Sequence, residues 1–220
     1  MKKALLTIFV LALAASAGYA QTEKGSMYIS GNIGINGGSS VSVTNSGNNE
    51  VTTKSPRTFS LYLAPQFGYF FADGWEVSGK LGYDLARTNN GTTFDGDNLY
   101  NFNHLFTITP GISYHLRLAD RFYYTPGFDL SLGFGVSKTQ ESKDVTRKNY
   151  GITAFSMSLS VFAFEFLPSE HFGITLSAGD LTYALESHRN KGNNITTTNT
   201  TNDVNFDINM GALIGFRYYF

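Results

Sequence analysis

The sequence predicts an all-β chain, an eight-stranded antiparallel up-and-down transmembrane β-barrel, from three observations. Residues 205–220 place Phe206, Ile208, Met210, Ala212, Ile214, Phe216, Tyr218 and Phe220 on one parity. Asn205, Asp207, Asn209, Gly211, Leu213, Gly215, Arg217 and Tyr219 fall on the other. Side chains of a strand alternate between its two faces, so this is a strand with one oily face. Seven further segments carry related patterns, joined alternately by long polar stretches and by turns of a few residues. The chain also opens with an export sequence. In hydrocarbon every backbone N–H and C=O must be paired within the protein, which allows helices or a closed barrel, and a period of two excludes the helix.

The export sequence consists of Met1, Lys2 and Lys3, an apolar stretch over 4–15, and the small residues Gly18 and Ala20 around Tyr19. This is the layout of a secretory signal with cleavage before Gln21. The apolar run is shorter than the ~20 residues a spanning helix needs. The expected organisation is therefore a signal peptide over 1–20 and one barrel domain over 21–220, located in the cell outer membrane.

Composition agrees with that destination. The chain contains no cysteine, which removes both a disulfide framework and a lipidated cysteine after the signal. It has 19 Phe and 13 Tyr but only 15% charged residues, as suits strands whose aromatic residues sit at membrane interfaces. A net charge of −1 gives no electrostatic basis for binding nucleic acid. Mean hydropathy is −0.13, an unremarkable value, because every second strand residue faces away from lipid.

In chain order, the first strand is expected over 27–36, with Met27, Ile29, Ile33 and Ile35 outward, followed by a polar loop over 37–57. The second, 59–71, sets Phe59, Leu61, Leu63, Pro65, Phe67, Tyr69 and Phe71 outward. Ala72, Asp73 and Gly74 make a tight turn. The third, 75–85, has Trp75, Val77, Leu81, Tyr83 and Leu85 outward, and a polar loop covers 89–101. The fourth spans 102–116 and turns at Ala119 and Asp120 into the fifth, 122–136, which is followed by a charged loop over 138–150. The sixth, 153–166, changes parity at Phe162, which implies a bulge or an inward aromatic cluster. After a short connection over 168–171, the seventh runs to Leu185 with a second parity slip near Gly179 and Asp180. A loop over 186–204, rich in Asn and Thr, precedes the eighth. Pro110 and Pro126, both on outward parity, interrupt regular ladder pairing.

Eight strands enclose a space that side chains fill. Gln66, Glu76, Lys80, Asp84, His115, Asp129, Asp207 and Arg217 fall on interior parity and form the expected polar network. Charges in so narrow a space must be paired or hydrated. Lys80 is expected to face Asp129 or Glu76, and Arg217 to pair with an acid near the short-turn end. These groups plug the interior or, alternatively, line a gated ion path.

The signal sequence, the eight alternating segments and the terminal residues Gly215 to Phe220 resemble the small bacterial outer-membrane barrel superfamily that includes outer membrane proteins A, W and X. The resemblance implies short turns at the periplasm, long loops outside, and recognition of Phe216, Tyr218 and Phe220 by the barrel-assembly machinery. It also raises lipid A-modifying enzymes of this architecture. A deacylase would need a Ser–His pair on the outer surface, and His104 and His188, near loop bases, are the only histidines so placed. Neither sits in a nucleophile motif, so no catalytic residue is assigned. No metal or cofactor is expected: Asp95 and Asp97 stand in a loop without a wider ligand array.

The expected function is a structural or surface-interaction protein of the bacterial envelope, monomeric and non-catalytic. A small porin-like or hydrophobic-compound transport barrel is the alternative, and a lipid A-modifying enzyme comes third. Its partners are outer-membrane lipids and lipopolysaccharide, the assembly machinery, and an extracellular partner reached through the long loops. Residues 39–53 and 195–202 suit a β-ribbon with an edge for adhesion. Lys138, Lys143, Arg147 and Lys148 are candidates to meet lipopolysaccharide phosphates.

Overall fold

The computed structural model describes residues 22–46, 49–54, 56–92, 98–140, 145, 148–191 and 196–220. Residues 1–20, expected as a signal peptide, and Asp95, Asp97, Lys143 and Arg147 lie outside the described residues, as do the side chains of Lys148 and Asp207.

Twelve strands form in chain order: β1 (Met27–Gly38), β2 (Val41–Ser46), β3 (Asn49–Lys54), β4 (Thr58–Ala72), β5 (Trp75–Thr92), β6 (Asn98–Tyr114), β7 (Leu116–Ala119), β8 (Phe122–Tyr124), β9 (Gly127–Thr139), β10 (Lys148–Ser169), β11 (Phe172–Lys191) and β12 (Thr196–Tyr219). Antiparallel pairing runs β1–β4–β5–β6–β9–β10–β11–β12 and returns to β1, a ring of eight. The barrel expected from the sequence is thus present. The fourth expected strand is divided at His115 into β6 and β7, and the fifth at Thr125 and Pro126 into β8 and β9. Pro126 has no N–H for a ladder, but its carbonyl accepts from Tyr114 N at 3.0 Å, so the break leaves that acceptor paired.

The outward row is apolar on nearly every strand: Leu63, Phe67 and Phe71 on β4, Val77 and Leu81 on β5, Ile108 and Ile112 on β6, Phe128, Leu132 and Phe134 on β9. These side chains are exposed in a continuous belt, and only a hydrocarbon surround removes so much apolar surface from water. The buried hydrophobic cluster is small and lies at the short-turn end: Tyr28, Phe70, Leu167 and Tyr219, with Tyr123 packed against it.

That end is tied together by the segment before β1. Gly74 N donates to Thr22 O at 2.8 Å, Lys24 N to the Asp73 carboxylate at 2.9 Å, and Gly25 N to Phe70 O at 2.8 Å. Gly74, with φ 73°, makes the β4–β5 turn in a conformation that disfavours side chains. Gly68 serves by absence: a Cβ there would fall inside the Tyr28 ring. Gly68→Ala is therefore expected to destabilise the folded barrel by about 1–3 kcal/mol through overpacking, read as a lower midpoint in urea unfolding.

Register irregularities occur in the β10–β11 pairing at Ser160/Phe162 and Phe162/Ala163, and in the β11–β12 pairing at Ser177/Gly179. They fall where the sequence changes parity. Above the apolar belt the wall continues. β11 and β12 remain paired from Glu186↔Thr201 to Lys191↔Thr196, and β2 with β3 forms a separate two-stranded ribbon.

One seam differs from the rest. β1 pairs with β4 along its whole length but with β12 only from Tyr28↔Tyr219 to Ser30↔Arg217. Beyond Ser30 the two strands part. Ile33 is 73% exposed and Ile214 66%, against 51% for Leu81 in the closed wall.

Candidate functional site: a buried charged plug and the cavities above it

Four ionisable side chains converge inside the ring at the short-turn end. Glu76 comes from the start of β5, His115 from the break between β6 and β7, Glu165 from β10 and Arg217 from β12. Arg217 Nη1 donates to Glu76 Oε2 at 3.0 Å and to Glu165 Oε2 at 3.1 Å. His115 Nε2 lies 2.8 Å from the same Glu76 oxygen, and its Nδ1 stands 3.4 Å from Glu165 Oε2. Tyr28 donates its hydroxyl to Glu76 Oε1, and Tyr219 donates to Glu165 Oε1 at 2.7 Å. Gln66 Nε2 completes the shell by donating to the Tyr28 hydroxyl at 3.1 Å.

Glu76 retains 2% of its exposure and Glu165 none. Charges this deep survive only when their lone pairs are met, and each carboxylate here accepts from a guanidinium and a phenol. The Arg217 guanidinium also lies 4.2 Å above the Tyr28 ring, and the Phe70 ring meets His115 edge-on at 4.9 Å. The polar groups and the aromatic cluster thus share one floor across the barrel.

Above the floor are two cavities. The lower, about 270 Å³, is bounded by Gln66, Glu76, Ser113, Asp129 and Arg217, and it reaches the seam through Gly31, Asn32, Ile214 and Gly215. The upper, about 430 Å³, is lined by Lys80, Asp84, Asp129 and Asp180 among serine and threonine hydroxyls. Thr109 donates to Ser131 at 2.8 Å, and the Ser158 and Thr182 hydroxyls bond at 3.0 Å, so neighbouring strands are stitched by side chains as well as backbone.

The structure brings Gln66, Glu76, His115 and Arg217 into one cluster, and Lys80, Asp84 and Asp129 into the cavities above it. Lys80 and Asp129 line the same space, but among the described residues no ion pair joins Lys80 to Asp129 or to Glu76. The reason is geometric: Lys80 registers with Thr109 and Asp129 with Gly111, so β6 stands between their strands. For Asp207 only the backbone is described, opposite Asp180.

Two functional groups escaped the sequence reading. Glu165 sits in the run where parity changes, and its signal was available: a carboxylate between Phe164 and Phe166 cannot face lipid. Asp180 lies at the second slip for the same reason. Of the residues matched to the assembly signal, Phe216 and Tyr218 face outward, and the Phe220 ring packs 6.3 Å from Phe67. His104 bonds the Tyr83 hydroxyl at 2.9 Å on the outer face, and His188 pairs with Glu186 at 2.5 Å.

No protein-family model and no curated protein sequence matches the chain. Among solved structures it is similar to the outer membrane protein OprG from Pseudomonas aeruginosa at 15% identity, covering 90% of this chain and 97% of that one, with a TM-score of 0.47. It is also similar to Ail, the attachment invasion locus protein of Yersinia pestis, at 19% identity over 90% and 99% of the two chains, with a TM-score of 0.36. The structure of Ail in a phospholipid bilayer nanodisc covers 90% of this chain and 100% of that one at 21% identity, with a TM-score of 0.28. By its ring of strands and its apolar belt, the chain is an eight-stranded antiparallel β-barrel of the outer-membrane type.

Proposed function

We propose that this protein is a non-catalytic barrel of the bacterial outer membrane, preceded by a cleaved signal peptide over 1–20, that acts as a structural and surface-interaction element. In this reading the short turns face the periplasm and the interior is closed there. One observation carries it: the wall rises beyond the apolar belt as a polar sheet. The pairs from Glu186↔Thr201 to Lys191↔Thr196 extend it by about 20 Å along the strands. Among the described residues the β2–β3 ribbon pairs only within itself, leaving backbone groups on both its edges for an added strand. Such edges above a membrane suit adhesion to another protein.

The test is adhesion of cells displaying the protein to a panel of immobilised extracellular-matrix proteins. Residues 41–54 are replaced by a short Gly-Ser turn, with heat-modifiable gel mobility as the check on folding. Lost adhesion with a folded barrel is the expected result. Unchanged adhesion, or none in either strain, removes the surface-interaction reading. Planar-bilayer recordings complete it: in this reading the floor of Glu76, His115, Glu165, Arg217 and the four buried hydrophobic residues closes the interior to ions, so stable single-channel steps would contradict it.

A second reading, a transport barrel for hydrophobic compounds, draws support from the seam. The lower cavity meets the lipid side between Gly31 and Asn32 of β1 and Ile214 and Gly215 of β12. Cysteines at Ile33 and Ile214, which would face each other if the β1–β12 ladder continued, can lock it. Passage of an apolar dye that stops on oxidation and returns on reduction would establish this route, and passage indifferent to the lock would discard it.

A further inference from the structure

Where the apolar belt ends on the long-loop side, the outward row turns basic. On β5, Trp75, Val77, Leu81, Tyr83 and Leu85 give way to Arg87. On β6, Ile108 and Phe106 give way to His104 and Phe102, and on β9, Phe134 and Val136 give way to Lys138. The register sets three of these in one line across adjacent strands: Arg87 opposite Phe102, and Phe102 opposite Lys138. One aromatic residue therefore separates two cations whose strands are about 10 Å apart.

The Arg87 guanidinium lies over the Tyr100 ring, 3.7 Å from its centroid, and 5.7 Å from that of Phe102. A guanidinium held over an aromatic face in this way can still present N–H groups to a planar, bidentate acceptor. One row nearer the belt, the Tyr83 hydroxyl holds the His104 ring at 2.9 Å. Among the described residues no carboxylate forms an ion pair with Arg87, His104 or Lys138. The opposite rim behaves differently: Arg117 is paired with Asp120 at 2.8 Å, and Asp73 and Glu170 stand among its basic residues. One end balances its own charge, whereas this outward row does not.

We propose that Arg87 and Lys138, seated on Tyr100 and Phe102 with His104 beneath, form a binding site for the phosphorylated headgroup of an outer-leaflet glycolipid. The inference rests on the orientation proposed above, which puts this row at the outer headgroup layer. Burial of acyl chains against Phe134, Phe106 and Leu81 supplies a sequence-independent hold on any lipid. The cationic pair adds discrimination for phosphate. Lys138, expected among the cations of the loop over 138–150, stands instead with Arg87 on the paired wall, at the edge of hydrocarbon, where attraction is less screened than at an exposed loop tip.

The experiment uses the refolded full barrel in detergent, with retained lipid counted by native mass spectrometry after addition of bisphosphorylated lipid A or its dephosphorylated form. The bisphosphorylated form should be retained preferentially. The double variant Arg87→Ala and Lys138→Ala should lose about tenfold in affinity for it while holding the dephosphorylated form as before. Arg87→Lys, which keeps the charge and loses the stacked fork, should fall between. Arg117→Ala, on the other rim, should match the parent protein, and millimolar inorganic phosphate should not displace the lipid. Equal retention of both lipid forms, an unaffected double variant, or displacement by inorganic phosphate would overturn the site. The orientation is read separately, by labelling a cysteine at Thr139 from outside intact cells. Failure to label there sinks the orientation, and with it the outer-leaflet assignment, even if lipid A is retained in detergent.

Discussion

Arg217→Met is expected to destabilise the barrel by about 3–5 kcal/mol. The side chain is the one full cation in the floor, shared at 3.0 and 3.1 Å between Glu76 and Glu165. Methionine fills much of the same volume, so the loss isolates charge rather than packing. Without the guanidinium, two carboxylates with almost no exposure face each other across His115 alone. Removing one partner of a buried pair is costlier than the pair is stabilising, because the remaining charge cannot be solvated. The triple variant Glu76→Gln, Glu165→Gln and Arg217→Met removes the charges together and should recover most of the loss. Its glutamines can still accept from Tyr28 and Tyr219. The readout is urea unfolding in lipid vesicles, followed by the fluorescence of Trp75, the chain's single tryptophan, next to Glu76. An Arg217→Met midpoint equal to the parent's would show that the floor owes nothing to this ion cluster. A triple variant no better than the single one would assign the loss to packing instead.

The parts of this fold that lipid touches were legible in the sequence, because the bilayer imposes a period of two on them. Residues 205–220 and 122–136 could be placed by alternation alone, and the turn at Asp73 and Gly74 by its residue types. Above the belt both faces of a strand meet water and the alternation fades. Residues 196–203, polar on both parities, fell within a loop expected over 186–204, part of which, 195–202, also suited a β-ribbon, and they extend β12. The plug was partly legible. Glu76, His115 and Arg217 were placed inside by parity, while Glu165 was hidden by a bulge that shifts which residues face in. Cross-barrel distance is the least legible quantity. Parity says that Lys80 and Asp129 both face the interior but not that β6 keeps them apart. The seam between β1 and β12 likewise leaves no trace in either strand's own pattern. It depends on how far two segments at opposite ends of the chain stay in register.

Leu81→Arg should cost about 2–4 kcal/mol in lipid vesicles, whereas Phe59→Arg should cost about 0–1 kcal/mol. Both side chains are outward and exposed, Leu81 by 51% and Phe59 by 43%, so surface accessibility does not distinguish them. Depth does. Leu81 lies midway between Trp75, at the short-turn interface, and Arg87, where the outward row becomes basic, and its register partner is Ile108. Phe59 lies opposite Arg87, at the upper edge of the belt. An arginine at Leu81 must carry its charge through hydrocarbon to reach either interface, while one at Phe59 reaches headgroups directly. In a barrel that lived in water, both substitutions would be surface changes of within about 0.5 kcal/mol, and each would improve solubility. The difference between the two variants, measured in vesicles against the same parent, therefore tests the membrane assignment itself. Equal, small effects would mean that the belt does not face lipid. The expected gradient, largest at Leu81 and fading toward Phe59, can arise only if an apolar slab surrounds the strands at that height.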